Sequence, residues 1–270
     1  MNVLMLPFQR CSLVLLFCLS VMLCFANGCG NANNGMLSYS DQPLSEWVDK
    51  LGNSKLQGSE RQKAVLAVQS IGTNALPFLL AQIRRGSAID GPRRAGIVAA
   101  LEALGKPGEM ALPALTEITV QGNERSSETA LWALSRMGNP GVEAMTNALG
   151  NSNEARRSKV IKMLHSMGTN AHTAVPAMLL CLRNTKDDYD TAFWAGCGAA
   201  RASQQPREII RNLSTNLLEG GSACRYGSAS ALRLFGNEAK EAVPALRTLL
   251  SDKNERVRYA ASNALLSIQQ

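Results

Sequence analysis

The stretch EAKEAVPALRTLLSDKNERVRYAASNALLSI, residues 238–268, decides the fold of the chain. In its first half, apolar residues recur at the three- and four-residue spacing of one helix face, and Pro244 lies early, where a missing N–H costs little. A polar turn, Ser251 to Asn254, precedes a second run with the same spacing, from Val257 to Ile268. The stretch therefore predicts a helical hairpin, whose apolar faces need further copies to bury them.

An apolar residue, a glycine and a polar turn recur along the chain, at Gly72, Gly105, Gly138, Gly168 and Gly236. The intervals are 33, 33, 30 and 68 residues, and the last is two units of 34. Glycine accepts positive φ without strain, so we expect each to take the left-handed conformation that ends a helix. A period of this length is typical of a solenoid of stacked helix pairs.

Aligned on these glycines, the chain divides into seven pairs of a first helix, A, and a second helix, B. We predict A helices near 43–52, 75–85, 110–120, 140–150, 173–183, 206–219 and 239–250, and B helices near 59–71, 91–104, 124–137, 153–167, 188–203, 222–235 and 254–268. Strand signals are nearly absent. The predicted fold class is all-α, an α-solenoid of about seven helical hairpins over residues 43–270.

A tripeptide Ala-Leu/Val-Pro recurs near the start of helix A, at Ala75, Ala111, Ala174 and Ala242. With the Asp-containing turn and the Val-Arg pair of residues 238–268, it resembles HEAT repeats, specifically the short bacterial HEAT-like type also seen in bilin lyases. The resemblance covers residues 43–270 and implies a solenoid whose B helices line the concave side. The fourth repeat lacks the proline and the fifth lacks the glycine, so their register is the least defined.

The same alignment places arginines eleven residues before the glycine position in five repeats: Arg61, Arg94, Arg157, Arg225 and Arg258. The third repeat has Ser127 there, and the fifth has Ala192 or a near neighbour. The resemblance implies that these arginines pair with a turn aspartate, such as Asp90 or Asp252, or with a carbonyl of the adjacent repeat. We favour that structural interpretation, and the alternative is a basic stripe that binds an acidic partner or anionic lipid.

Residues 1–28 are typical of a signal peptide. Arg10 is the only charge before an apolar run, Cys11 to Phe25, which is shorter than the ~20 residues of a membrane span. The alternative is a short N-terminal anchor that stays attached.

Cys29 follows Gly28 and resembles the lipobox cysteine of bacterial lipoproteins, although Ala26 and Asn27 depart from the usual residues. In that family the cysteine becomes the lipidated N-terminal residue. We therefore predict lipidation at Cys29 and export to the cell envelope, as a membrane-anchored lipoprotein or a periplasmic protein. Residues 29–42 are predicted to be a polar tether.

Three cysteines remain after Cys29, namely Cys181, Cys197 and Cys224, and their scatter fits neither a disulfide framework nor a zinc site. Cys197 and Cys224 fall in neighbouring repeats. A disulfide between them and two buried thiols are both open, and we favour the thiols.

No motif for catalysis, metal binding or nucleotide binding occurs. The two histidines, His165 and His172, lie seven residues apart across a helix end without a metal-ligand pattern, and we expect both on the surface. We predict no enzyme, no cofactor and no metal site. Trp132 and Trp194 lie among alanines and are expected in the core.

The formal net charge of +7 suits a nucleic-acid, anionic-lipid or acidic-protein partner, and predicted export argues against nucleic acid. The main hypothesis is a non-enzymatic protein–protein interaction scaffold or adaptor of the bacterial cell envelope, which binds another protein through the solenoid surface. The alternatives are a HEAT protein similar to chromophore or cofactor lyases and, less favoured, a protein that binds nucleic acid through the arginines.

Overall fold

The computed structural model describes residues 37–86, 89–186 and 188–269. Fourteen α-helices follow one another in this part of the chain: α1 (Leu44–Gly52), α2 (Gly58–Ile71), α3 (Leu76–Arg85), α4 (Gly91–Leu104), α5 (Leu112–Gln121), α6 (Glu124–Ser135), α7 (Gly138–Asn151), α8 (Glu154–Met167), α9 (Val175–Asn184), α10 (Tyr189–Ala202), α11 (Pro206–Glu219), α12 (Ser222–Leu232), α13 (Val243–Thr248) and α14 (Glu255–Ile268). Odd-numbered helices are the A helices and even-numbered helices the B helices of seven hairpins. The predicted all-α solenoid is confirmed. The predicted signal peptide, Cys29 and most of the predicted tether lie outside the described residues.

The glycines that end the B helices have positive φ, as predicted: φ is +64° at Gly72, +58° at Gly105, +55° at Gly168 and +48° at Gly236. Their ψ values differ from the expectation, because ψ is −144° at Gly72 and −130° at Gly168. This is the mirror image of extended backbone and not the left-handed helix, and it too is open mainly to glycine. The chain therefore reverses at once into the 3-10 turns that lead to the next A helix, such as Gly168–Ala174.

Replacing Gly168 by alanine is expected to destabilise the fold by about 1–3 kcal/mol, because this φ/ψ region is strained for any residue with a Cβ. No atom lies within 4 Å of the added Cβ, so the loss measures backbone strain alone. Urea unfolding gives the number. Gly91→Ala at the start of α4 also meets open space, but with ordinary φ, and should change little. Equal losses in the two variants would contradict the backbone described here.

The N-terminal end of the array is closed by a short β-hairpin. Strands Ser38–Tyr39 and Gln42–Pro43 pair antiparallel, and the turn residues Ser40 and Asp41 have φ of +49° and +61°. The Nε1 of Trp47, buried in α1, donates a hydrogen bond to the Tyr39 carbonyl at 3.3 Å. The last residues of the predicted tether are thus packed on α1. The sequence did not predict this hairpin, because a strand of two residues is too short to show an alternating pattern.

The first hairpin deviates from simple stacking, because α1 crosses the B helix of the second hairpin, α4, at backbone contact. A Cβ on Gly96 would lie 2.0 Å from the Val48 carbonyl oxygen, and one on Gly52 would lie 2.1 Å from the Pro92 carbonyl oxygen. Glycine at both positions is what allows the two helices to approach this closely.

The B helices of the fifth and sixth hairpins also meet at their backbones. A Cβ on Gly227 in α12 would lie 2.4 Å from the Ala192 carbonyl oxygen in α10, and one on Gly196 would lie 2.6 Å from the Gly227 carbonyl oxygen. The side chains that these helices direct away from the core are therefore brought close together, and they form one continuous surface.

The stretch Gly58–Arg85 is long and apolar enough, by length and composition, to cross a membrane. It is not a single helix here, because Gly72 turns the chain with a φ of +64° between α2 and α3. Leu79 and Ile83 in α3 are fully buried within the array, so the stretch serves as one B helix and the next A helix of the solenoid.

Candidate interaction surface on the B helices

Aromatic side chains occupy one equivalent position in the last three repeats, at Phe193, Tyr226 and Tyr259, 33 residues apart. We call Arg61, Arg94, Arg157, Arg225 and Arg258 the ladder arginines, and each of the three aromatic residues lies one residue after the equivalent position of its repeat, on α10, α12 and α14 respectively. The ring centroids of Phe193 and Tyr226 are 6.4 Å apart. This interval is visible in the alignment that places the arginines, but the predicted binding residues did not include these rings.

Neighbouring rings extend the pattern toward the middle of the array. Trp194 packs edge-on against Phe193 at 5.1 Å and against His165 of α8 at 4.8 Å between ring centroids. Tyr189 packs edge-on against Tyr226 at 5.6 Å. We call these residues the aromatic row: His165, Tyr189, Phe193, Trp194, Tyr226 and Tyr259. Ring contacts join the B helices α8, α10 and α12, and Tyr259 continues the row on α14 at the same repeat position.

The aromatic row is partly exposed. Tyr259 is 69% exposed, and Trp194 is half-buried. Trp132, on the neighbouring B helix α6, is 39% exposed. The expectation that Trp132 lies in the core is therefore wrong: alanines around a tryptophan can equally belong to the tightly packed face behind it.

Three arginines border the aromatic row. Arg201 follows Trp194 by seven residues, two turns along the same face of α10, and Arg233 stands directly after the end of α12, seven residues after Tyr226. Both arginines are exposed. The guanidinium carbon of Arg256 lies 4.9 Å from the centroid of the Tyr189 ring, a cation–π contact. The C-terminal half of the B-helix surface is therefore aromatic and positively charged.

The negative charge of Asp190, the acidic residue beside Trp194, is balanced by a lysine. Asp190 forms an ion pair of 2.6 Å with Lys162 of α8, and it accepts a 2.9 Å hydrogen bond from Nε1 of Trp194. The hydrogen bond from Lys162 is the largest influence and, with that from Trp194, holds the pKa of Asp190 below its usual value, although burial opposes the shift.

His165 lies within the aromatic row and not on the open surface as expected. Its Nδ1 is buried without a hydrogen-bond partner among the described residues. Burial lowers the pKa of His165, and the nearby charge of Arg201 lowers it further. The ring is therefore held neutral at neutral pH.

Acidification should destabilise the wild-type protein partly through His165. The unfolded chain binds a proton on this histidine near the ordinary pKa of 6.5, whereas the folded protein resists it, so stability is lost as pH falls through that value. Replacing His165 by phenylalanine should flatten this part of the pH profile. Urea unfolding between about pH 7 and pH 5 tests it, and identical slopes for the two proteins would refute the assignment.

Four of the five ladder arginines hold the end of the A helix in their own hairpin. Their guanidinium groups donate to backbone carbonyls, as follows: Arg61 to Leu51 at 3.1 Å, Arg157 to Ser152 at 3.0 Å, Arg225 to Gly220 at 2.7 Å and Arg258 to Asp252 at 2.8 Å. These bonds satisfy carbonyls that a helix C-terminus leaves without partners. The resemblance implied a turn aspartate or a carbonyl of the adjacent repeat. Each of these four carbonyls instead belongs to the same repeat as its arginine.

The fifth ladder arginine differs. The Nε of Arg94 is buried without a partner among the described residues, and residues 87–88, which precede this turn, lie outside them. Asp90 does not pair with it through its carboxylate, which instead accepts the backbone N–H of Arg93 at 2.8 Å and caps α4.

The third repeat replaces the missing arginine with two other residues. Ser127 donates through Oγ to the Thr119 carbonyl at 2.8 Å. Arg156, next to the ladder residue of the fourth repeat, reaches back and donates to the carbonyls of Thr119, at 3.0 Å, and Gly122. The end of α5 is thus held by its neighbour, a substitution that sequence spacing did not show.

Asp252 bridges two repeats. Its carboxylate pairs with Nε of Arg225, in the preceding hairpin, at 2.8 Å, and its side chain is 6% exposed. Arg258 takes only the backbone carbonyl of Asp252. The expected pairing of Arg258 with the Asp252 carboxylate is therefore wrong, because Arg225 occupies it.

Cys181, Cys197 and Cys224 are buried thiols without a disulfide among the described residues. Burial raises the pKa of Cys197 to about 11, and it also raises the pKa of Cys224. Of the two alternatives for the Cys197–Cys224 pair, the structure has the thiols.

The described residues contain no group of three or more histidine, cysteine or acidic side chains placed to hold a metal ion. The depressions on this part of the surface are open. One groove of about 550 Å³ lies near the ends of α6 and α8 and is lined by Glu102, Arg136 and His172, among others. Arg136 is held there by both carboxylate oxygens of Glu102, at 3.1 and 2.9 Å.

Comparison with known proteins gives a match to the HEAT repeat over residues 242–270, which contain α13 and α14. No curated protein matches the chain. Similar solved structures include two engineered proteins, 16% and 17% identical, each with a TM-score of 0.40; each covers 84% of this chain, and the matches span 68% and 96% of their own chains. Human deoxyhypusine hydroxylase in complex with glycerol is 17% identical over 84% of this chain and 96% of its own, with a TM-score of 0.36. The HEAT match falls on the hairpin of residues 238–268, on which the resemblance rested. A HEAT-like helical array is in general a protein-interaction scaffold.

Proposed function

We propose that this protein is a non-enzymatic interaction scaffold of the bacterial cell envelope. It is tethered by a lipid on Cys29 and binds another protein through the surface of its B helices. Its action consists of holding a partner along an extended face, and no bond is made or broken.

The aromatic row and its bordering arginines carry this proposal. Trp, Tyr and Arg are the side chains that dominate the energetics of protein interfaces, because they bury large areas at a small entropic cost. Here Trp194, Tyr226 and Tyr259 line one surface with Arg201 and Arg233. Because the rings of Trp194 and Tyr226 pack edge-on against neighbouring rings, this part of the surface is preorganised and loses little further freedom when a partner binds.

The envelope address is supported by the sequence before the array. An apolar run, Cys11 to Phe25, is followed by Gly28-Cys29, in the order of a lipoprotein signal. A single acyl chain gives only marginal membrane binding, so stable anchoring takes two or more chains or an additional basic patch. The formal net charge of +7 becomes +6 when Arg10 is removed with residues 1–28, and this charge suits attachment at an anionic membrane surface.

The binding surface is tested by covalent cross-linking in the envelope of the producing cell, followed by recovery of the protein. Tyr259→Ala should reduce recovery of the partner, because Tyr259 is the most exposed ring of the aromatic row. The matched control is Leu218→Ala on α11, an A helix, where the side chain is 66% exposed. Equal recovery with the two variants would reject the B-helix surface.

The anchor is tested by metabolic labelling with an alkyne analogue of palmitate. The wild-type protein should carry the label and sediment with membranes, whereas Cys29→Ser should carry none and stay in the soluble periplasmic fraction. An unlabelled wild-type protein that retains residues 1–28 in the cytoplasm would reject the envelope role.

A further inference from the structure

We infer that the B-helix surface from α10 to α14 binds an extended, acidic protein segment that carries apolar side chains between its carboxylates. The inference rests on the proposed scaffold function and specifies the chemistry of its partner.

The charge of this surface selects an acidic partner. Arg201 and Arg233 are exposed at the C-terminal ends of α10 and α12, Arg256 is exposed at the N-terminal end of α14, and none of the three forms an ion pair with another described residue. Asp190, the acidic residue nearest Trp194, is already paired with Lys162. A carboxylate in the partner would form with each guanidinium the two-pronged hydrogen bonding that arginine is shaped to give.

The arrangement of the rings selects a peptide and not a nucleic acid. Single-stranded nucleic acids bind aromatic platforms by stacking each base on a free ring face. Here Trp194 packs edge-on against both Phe193 and His165, at interplanar angles of 85° and 71°, and Tyr189 packs edge-on against Tyr226 at 70°, so these rings form a cluster and not a series of separate stacking platforms. A cluster of this kind suits contact with apolar side chains such as leucine or proline.

The spacing of the helices sets the pattern of the partner. Packed helices lie about 8–10 Å apart, and an extended chain advances about 3.3 Å per residue. Arg201 is the second-to-last residue of α10 and Arg233 directly follows α12, so these two arginines lie at corresponding ends of neighbouring B helices and would meet carboxylates about three residues apart in an extended segment. Arg256 is the second residue of α14, at the opposite end of its helix, and contributes through its contact with Tyr189.

The test is a selection of random displayed peptides on the full-length protein. Enriched peptides should carry acidic residues at a spacing of three, with apolar residues between them. Arg201→Ser combined with Arg233→Ser should weaken an enriched peptide about tenfold in a fluorescence anisotropy titration. Arg211→Ser combined with Arg247→Ser makes the same charge change on exposed A-helix positions and should leave the affinity unchanged.

Three outcomes would overturn the inference: no peptide enriched in acidic residues, equal weakening by both double variants, or tighter binding of single-stranded DNA or of phosphatidylglycerol vesicles than of the selected peptides. Its failure is separable from failure of the scaffold function. If the partner cross-linked in the envelope is lost with Tyr259→Ala but kept with the Arg201 and Arg233 substitutions, the scaffold stands and the acidic segment does not. If neither substitution affects it, the B-helix surface itself is rejected.

Discussion

Replacing Gly227 by alanine is expected to destabilise the protein by about 3 kcal/mol, in spite of the gain in helix propensity. In an isolated helix this change would stabilise by about 1 kcal/mol. In α12, however, the new Cβ would lie 2.4 Å from the carbonyl oxygen of Ala192 and 2.7 Å from its carbon, and both are backbone atoms. The B helices would have to separate, which removes contacts on both sides of the Gly227 backbone.

Gly150→Ala is the matched control, since Gly150 is also helical, in α7, and no atom lies within 4 Å of its added Cβ. It should stabilise by about 0.5–1 kcal/mol, the propensity gain alone. Urea unfolding of both variants gives the comparison. A stabilised Gly227→Ala protein would mean that α10 and α12 are not at backbone contact, and the continuous surface they support would lose its basis.

Sequence periodicity predicted the helices well because each carries its own local signal. The glycine at the end of a B helix, the proline at the start of an A helix and the apolar stripe all lie within one repeat, so Gly72 to Arg85 or Glu255 to Ile268 could be assigned without knowing the neighbours. Even the fifth repeat, without its glycine, kept the period, and α10 ends at Ala202 with extended backbone at Ser203.

Contacts between repeats were predicted less well, because they depend on how far one helix is displaced along the next. Asp252 and Arg258 are close in sequence, yet the Asp252 carboxylate binds Arg225, 27 residues earlier. Arg156 reaches carbonyls 34 and 37 residues earlier to replace an arginine that the third repeat lacks. When a residue of one repeat replaces the hydrogen-bond donor that another repeat lacks, the repeat pattern shows only that a donor is missing. It does not show which residue elsewhere in the chain takes its place.

The aromatic row shows the opposite case, a signal that was present but not noticed. Phe193, Tyr226 and Tyr259 are separated by 33 residues each, the same interval that separates Gly72, Gly105 and Gly138. Their neighbours Trp194 and His165 follow no repeat position, and only the approach of α8 to α10 brings them together. One part of this surface can therefore be predicted from the repeat interval, and the other part only from the way the helices pack.

Replacing Asp252 by alanine is expected to destabilise the protein by about 3 kcal/mol at neutral pH, because removing one partner of a largely buried ion pair leaves the other charge uncompensated. The side chains of Arg225 and Asp252 are 16% and 6% exposed, and the Asp252 carboxylate also accepts the backbone N–H of Asn254 at 2.8 Å. The variant loses both interactions. Glu60→Ala, which breaks the exposed ion pair with Lys63, should have no measurable effect and is the control.

The same variant should also change the response to acid. Burial of the Asp252 carboxyl works to raise its pKa, but the hydrogen bonds from Arg225 and Asn254 and the charge of Arg225 outweigh it, so the pKa is lowered from 3.8. A lowered pKa in the folded protein contributes stability that is complete above the ordinary value and is lost as pH falls through the folded value. The difference in unfolding free energy between wild type and Asp252→Ala should therefore be largest near pH 7 and shrink below about pH 4. A difference that stays constant across this range would show that Asp252 acts through packing alone, and the coupling of the last two hairpins would not depend on its charge.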